Sequence, residues 1–372
     1  MRGNMRILVV VNEFPPEKIA GTAMATRALA EQLVARGHEV MVVVTTSCPA
    51  QKQAQIQQAG YELVWLQSRP FRGSGSFWRI WQTWCHARRF KPQLIQGQAV
   101  SCGLVAAVVG RLLRIPSICY AQGYDVYQAT AWQKRTEIRW GCRWPSRLLA
   151  VTRDLADAIH EVIGDHPLQI MPHAFLLPKT LMERESARAE YNLLGDTCMV
   201  LSVGRLEHFK GHDLLLQAWP TLLKQNSEAQ LWIAGSGSSL AILQQQARQL
   251  GVESSVHFAG QLKADDVHGL MAAADLFVLP SRSEPFGIVL LEAMAHGVPV
   301  VASRVGGIPE VVPERGSVAL VEVDNVEALT TAMADNMKAP FTPSVENREH
   351  AMQFEWAQQV VRFESIYREL VG

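Results

Sequence analysis

The chain has 372 residues, 48% of them hydrophobic and 19% charged, with Lys+Arg and Asp+Glu both at 35. That balance gives no argument for bulk nucleic-acid binding, and no nucleic-acid partner is expected. Length and apolar content call for two cores, hence two domains, and six scattered cysteines without a C-x-x-C pair point to a reduced, cytoplasmic protein.

The N-terminal half alternates short β-rich runs with helical stretches. Arg6–Val11 reads as a buried strand, ended by Asn12 and Glu13 too soon for a signal peptide. Met5 would also serve as a start, leaving residues 1–4 as a leader. Thr22–Arg36 follows as a helix, with Thr22 as its cap and Gly37 as its stop. Glu39–Thr45, Leu63–Leu66, Leu94–Gln96, Ser117–Tyr120 and Leu148–Val151 continue the strands. Ala99–Leu113 is weakly polar, but Ser101 and Arg111 interrupt it, so a buried helix is expected rather than a membrane span. Strands alternating with helices predict a doubly wound parallel sheet.

Residues 1–172 are read as this first Rossmann-like domain and 173–196 as a charged, Pro-containing linker. The pattern restarts in 197–346, with strands at Met199–Val203, Gln230–Ile233, Val256–Phe258, Leu276–Leu279 and Val298–Ala302. Residues 347–372 read as a final helical stretch. Ligands of open α/β sheets bind beyond the carboxyl ends of the strands, so two such domains would face a central cleft.

Two stretches mix tryptophan with basic residues. Arg69–Lys91 holds Trp78, Trp81 and Trp84 without an acidic residue, and Trp132–Arg147 adds Trp132, Trp140 and Trp144. The plain reading is helices packed on the sheet with a cationic outer face. The sharper one is a peripheral contact with an anionic membrane.

Leu201–Gly211 places Arg205 and Lys210 in the loop after a strand. A cationic pair there suits a diphosphate, the Arg by its fork and the Lys as a point charge; a solvated loop with two surface cations is the alternative. Ile288–Ala295 reads as an apolar helix stopped by Gly297 and Pro299, with Glu292 its single charge. Glu292 is either a ligand-facing group or a carboxylate reaching solvent at the rim of a structural helix. Glu284 stands in the loop ahead, and Gly287 allows close backbone approach. The amides of Gly287, Ile288 and Val289 make an anion site at a helix N-terminus. Two carboxylates flanking an anion cradle suit a nucleotide sugar.

Glu284 and Glu292, within Glu-Pro-Phe-Gly-Ile-Val-Leu-Leu-Glu-Ala-Met-Ala, resemble the E-x7-E signature of retaining glycosyltransferases of the two-Rossmann (GT-B) type, family 4. Gly204-Arg-Leu-x-x-x-Lys-Gly211 resembles the phosphate-binding motif of the same family. The resemblance implies that Arg205 and Lys210 bind the donor diphosphate, Glu284 positions the donor sugar and Glu292 holds the ribose. It places Gly21, Gly235, Leu262, Phe286, Gly287, Ile288 and Val289 on the donor. Ala20-Gly21 keeps only the second glycine of the family's N-terminal loop, and Gln122 stands where many relatives carry His, with Asp125 retained. Gln122 and Asp125 are then acceptor-side residues, a turn-forming Asp being the alternative for Asp125, while His173 has no assigned role. The resemblance also implies a last helix crossing back to the first domain and a nucleotide-sugar co-substrate. The acceptor would be a sugar, a polysaccharide or a lipid-linked one. The resemblance implies that no metal is required, and no Asp-x-Asp is present to contradict it. The protein would be cytoplasmic, or peripheral on the inner face of the cell membrane. A nucleotide-sugar epimerase on the same fold and a non-catalytic nucleotide-sugar-binding protein are the competing readings.

Overall fold

A computed structural model describes residues 3–15, 21–47, 60–67, 75–127, 131–178, 180–193, 195, 197–338 and 340–372. The chain divides into two compact units, one running to Ala174 and including Trp356–Gly372, the other Phe175–Glu355.

The first unit contains β1 (Arg6–Val11), α1 (Gly21–Ala35), β2 (Glu39–Val44), β3 (Glu62–Trp65), α2 (Gly75–Phe90), β4 (Leu94–Gln98), α3 (Val100–Leu113), β5 (Ser117–Ala121), the short α4 (Tyr124–Tyr127), α5 (Trp132–Arg143), β6 (Arg147–Ala150), α6 (Arg153–Ile163) and β7 (Gln169–Ile170). Its strands pair in parallel in the order β3-β2-β1-β4-β5-β6-β7. After their first residue β1 and β2 are wholly buried, as strands covered on both faces must be, and this is why they read as unbroken apolar runs. Thr22 lies inside α1 rather than capping it, and its carbonyl accepts from Thr26 Oγ1 at 2.7 Å. Ala20 and residues 69–74 fall outside the described residues.

The second unit contains α7 (Arg184–Glu190), β8 (Met199–Val203), α8 (His212–Leu223), β9 (Gln230–Ala234), α9 (Leu240–Gln249), β10 (Val256–Gly260), α10 (Ala264–Ala273), β11 (Leu276–Leu279), α11 (Ile288–Ala295), β12 (Val300–Ser303), the short α12 (Ile308–Val311), β13 (Val318–Val321), α13 (Val326–Met337) and α14 (Val345–Met352). Its six strands are parallel in the order β10-β9-β8-β11-β12-β13. Trp219, Leu215, Leu231 and Val278 lie in its core.

Two stretches differ from the sequence reading. The expected 173–196 linker contains α7, whose Arg184 and Arg188, four residues apart, reach Asp275 at 2.5 and 3.1 Å. Arg184 also donates to the carbonyl of Ala274 at 2.7 Å, next to the end of α10. The charged run read as a linker is thus fastened to a distant carboxylate. The expected last helical stretch is two helices. Ahead of the break, Asn347 of α14 accepts from Ser317 N at 3.1 Å and donates to the Val298 carbonyl at 3.1 Å. Beyond it, α15 (Trp356–Val371) belongs to the first unit, where Glu364 takes Arg36 at 2.5 Å and His38 at 3.1 Å. These contacts pull Glu364 down to about 2, with Arg36 the largest cause.

Candidate active site

Each sheet reverses its strand order once, between β1 and β4 in the first unit and between β8 and β11 in the second. Ligands of open α/β sheets bind beyond such switch points. In the second unit, Lys210 follows β8 and Glu284 follows β11, one on either side of the reversal.

The loop after β8 is laid against the loop after β9. Gly204 N donates to Ala234 O at 2.9 Å, Leu206 N to Ser236 O at 2.9 Å and Ser239 N to Leu206 O at 2.8 Å. A Cβ on Gly235 would stand 1.8 Å from Gly204 O, and its φ is +144°, so only glycine permits this approach. Glu207 accepts from Ser238 N at 3.1 Å and Ser238 Oγ at 2.6 Å, which lowers its carboxyl's pKa. Arg205 points outward with its guanidinium 4.9 Å above the Phe209 ring.

The turn carrying Lys210 is held by Arg282. Its guanidinium grips both oxygens of Asp213 at 2.7 Å, Asp324 at 2.6 Å and the His208 carbonyl at 2.7 Å. Its backbone N–H donates to Phe209 O at 2.8 Å. So placed, Lys210 Nζ makes an ion pair with Glu284, both side chains being buried. Beyond Glu284 the chain turns through Gly287, whose φ of +89° is left-handed, into α11. The first amides of α11 have no carbonyl four residues back to reach. Phe286 is buried, whereas Ile288 and Val289 are half-exposed. Glu292, one turn on, is half-buried and has no hydrogen-bond or ion-pair partner among the described residues; burial pushes its carboxyl up to about 7. Beneath the loops, Ser202 Oγ, Ser281 Oγ and both ring nitrogens of His212 are buried without hydrogen-bond partners among the described residues, and burial depresses His212 to about 4.

In the first unit the strand ends carry amides and hydroxyls. Asn12, just after β1, donates to Ser101 Oγ at 2.8 Å and accepts from Thr45 Oγ1 at 2.8 Å. Gln122, after β5, donates from Nε2 to Gln98 Oε1, leaving its own Oε1 buried and without a hydrogen-bond partner among the described residues. Asp125 accepts from Val100 N at 2.8 Å and so closes the N-terminus of α3. His173 is buried against Tyr120 in edge-to-face contact, and burial lowers it to about 3.

Residues 183–353 match the family Glycosyl transferases group 1, and residues 19–175 match Glycosyltransferase Family 4. The chain is a family 4 glycosyltransferase. An uncharacterised glycosyltransferase of Methanocaldococcus jannaschii is 29% identical over 334 residues, covering 83% of each chain. The GDP-mannose-dependent alpha-(1-6)-phosphatidylinositol monomannoside mannosyltransferase of Mycolicibacterium smegmatis is 39% identical over 164 residues, 42% of this chain and 43% of that one. Several other curated relatives match over about half their length. The crystal structure of Anabaena HepE with UDP and glucose superimposes with a TM-score of 0.85 over 99% of this chain and 100% of that one, at 20% identity. The enzyme has the GT-B fold, two Rossmann-like parallel α/β units.

Within the second unit of the enzyme, Lys210 and Glu284 meet directly. Arg205, Gly235 and Gly287 lie in the loops beside them, with Leu262 two residues after β10 and half-buried. In the first unit, Gln122 and Asp125 each bond to a protein group. Gly21 begins α1 with open space where a side chain would go, so no crowding requires glycine there. Sequence reasoning missed Arg282, Glu207, Gln98 and Asn12. Arg282 stands two residues ahead of the Glu284 motif, but its partners are distant in sequence. Gln98 and Asn12 each directly follow or end a buried strand, and that position was the available signal.

Proposed function

We propose that the enzyme transfers a glycosyl group from a nucleotide-diphosphate sugar to a hydroxyl of a sugar, polysaccharide or lipid-linked acceptor. The anomeric configuration is retained and no metal ion is needed. The observation that carries this reading is the Lys210–Glu284 pair at the switch point of the second sheet, beside Arg205 and the N-terminus of α11. Lys210 has three N–H donors and can keep one on Glu284 while giving another to a phosphate oxygen. Arg205 and the amides of Gly287, Ile288 and Val289 add donors where charge grows as the sugar–phosphate bond breaks. Glu284, held in place by Lys210, accepts from hydroxyls of the donor sugar. Glu292, unpaired on α11, is suited to the ribose diol. The departing phosphate takes the acceptor's proton, so no side-chain base is required and an amide at Gln122 is sufficient. Support for a nucleotide-sugar donor comes from HepE, crystallised with UDP and glucose, and from the GDP-mannose-dependent mannosyltransferase. Their bases differ.

The test is a thermal-shift panel of nucleotide-diphosphate sugars, free nucleotides and sugar phosphates in excess chelator. A ligand at a hundred times its Kd stabilises by about 2.7 kcal/mol, so one donor should stand out. Transfer from that donor, with the product anomer read by NMR, should proceed in chelator with retention. Sugar phosphates stabilising as well as nucleotide sugars would overturn the reading, as would inversion, turnover dependent on added metal, or an altered donor without acceptor.

A further inference from the structure

Three helices of the first unit, α2, α3 and α5, lie side by side, with α3 touching both of the others. Their outer side is unusual for a soluble protein. On α2, Phe77 is 73% exposed and Trp81 45%, one turn apart, with Trp81 stacked on Trp78 at 4.9 Å. On α5, Trp132 is 73% exposed and Trp140 46%. At the end of α3, Leu112 is exposed and Arg111 lies 5.0 Å over the Trp144 ring. Trp84, by contrast, packs on the core, so only part of the tryptophan stripe faces outward.

The charge around these aromatics is mostly positive. Arg88 on α2, Arg111 on α3, and Lys134 and Arg135 on α5 are exposed, while Arg89 pairs with Glu62 at 3.7 Å and Arg139 and Arg143 donate to the carbonyls of Val162 and Ile163. The single acid in the three helices, Glu137, is paired with Lys134 at 3.2 Å. Burying these aromatics against a protein would bury or crowd the cations. A bilayer with anionic headgroups takes the rings at its interface and leaves the cations among the phosphates. Phe77 and Trp132 lie in the first turns of α2 and α5. Trp78 Nε1, beside Phe77, donates to the carbonyl of Gln67 just beyond β3, which sets this end of α2 at the carboxyl edge of the sheet. Gln98 and Gln122 stand at the same edge.

We propose that the outer faces of α2 and α5, with the last turn of α3, dock the enzyme on an anionic lipid bilayer. The surface needs no membrane-spanning segment, and no helix of the described residues is long and apolar enough to be one. This inference does not rest on the transfer reaction, because binding alone tests it.

The experiment is co-sedimentation of the full chain with vesicles of phosphatidylcholine, alone or mixed with phosphatidylglycerol, at low and high salt. Binding to the mixed vesicles only, weakened by salt, is expected. Phe77→Ser combined with Trp132→Ser should lower the partition about tenfold or more while keeping the wild-type melting temperature. Arg88→Gln and Arg135→Gln should each lower it about fivefold. Absent binding, equal binding to both vesicles, or binding unchanged in the variants would overturn the proposal. So would self-association in sedimentation equilibrium that Phe77→Ser with Trp132→Ser abolishes, since the face would then be covered by a second copy.

Discussion

Lys210 and Glu284 form an ion pair with both side chains buried, so stability and catalysis can be separated at this pair. Removing one partner of a buried ion pair leaves the other uncompensated, at a cost of about 3–5 kcal/mol, whereas removing both is often nearly neutral. Lys210→Met should therefore lower the melting temperature. Lys210→Met with Glu284→Gln should recover most of it without recovering turnover; recovery of both in the double variant would make the pair structural. Glu292 behaves differently. Burial raises its carboxyl to about 7, above the unfolded range, so the folded state holds its proton between roughly pH 4.5 and 7 and this residue's contribution to stability falls as pH rises through that window. Glu292→Gln should raise the melting temperature at pH 8 and weaken nucleotide binding. Wild-type binding should strengthen from pH 6 to 8, because a ribose diol donates to the ionised form. Flat binding across that range, measured by calorimetry, would remove Glu292 from the nucleotide. Both carboxylates were legible in the sequence because motif and helix are local. The ion pair was not, since Lys210 lies 74 residues from Glu284.

Among the elements, strands buried on both faces could be read from composition, and Arg6–Val11, Met199–Val203 and Leu276–Leu279 fall where the apolar runs place them. β13 was missed because it is a half-exposed edge strand, and β7 because it is two residues long. The break between α14 and α15 was missed for another reason. Residues 353–355 carry no Pro or Gly, and what ends α14 there is not written locally in the sequence. At this scale Arg282 is the residue to test, because it ties the turn after β8 to the loop after β11. Arg282→Lys keeps a charge but not the two-pronged grip on Asp213. Turnover should fall about tenfold to a hundredfold through misplacement of Lys210, with the fold retained. Unchanged turnover in a variant whose circular dichroism matches the wild type would show that the grip is dispensable.

Taken as a whole molecule, the enzyme buries several histidines neutral, and they set its acid limit. His173 is depressed to about 3, and His212 and His296 to about 4, all chiefly by burial. An unfolded chain takes up those protons near pH 6.5, so stability is lost as pH falls below that value. Glu364, lowered to about 2, adds to the loss below about pH 4.5, and Glu292 opposes it. The melting temperature should fall steadily from pH 6.5 to 4; a flat profile would contradict these buried neutral states. Fold and family were legible from the sequence because two motifs and two strand series recur in order. The proposed docking surface was visible in the sequence only as a mixture of Trp and Arg, since outward and inward tryptophans have the same letter. The proposed role of Lys210 is to act on the leaving phosphate. Its most direct test is the single-turnover rate of Lys210→Ala at saturating donor, with the donor Kd measured alongside. A loss of about 10²–10³ in rate with a much smaller change in Kd is expected. A normal rate with only a weakened Kd would mean uniform binding, and the leaving-group role would be contradicted.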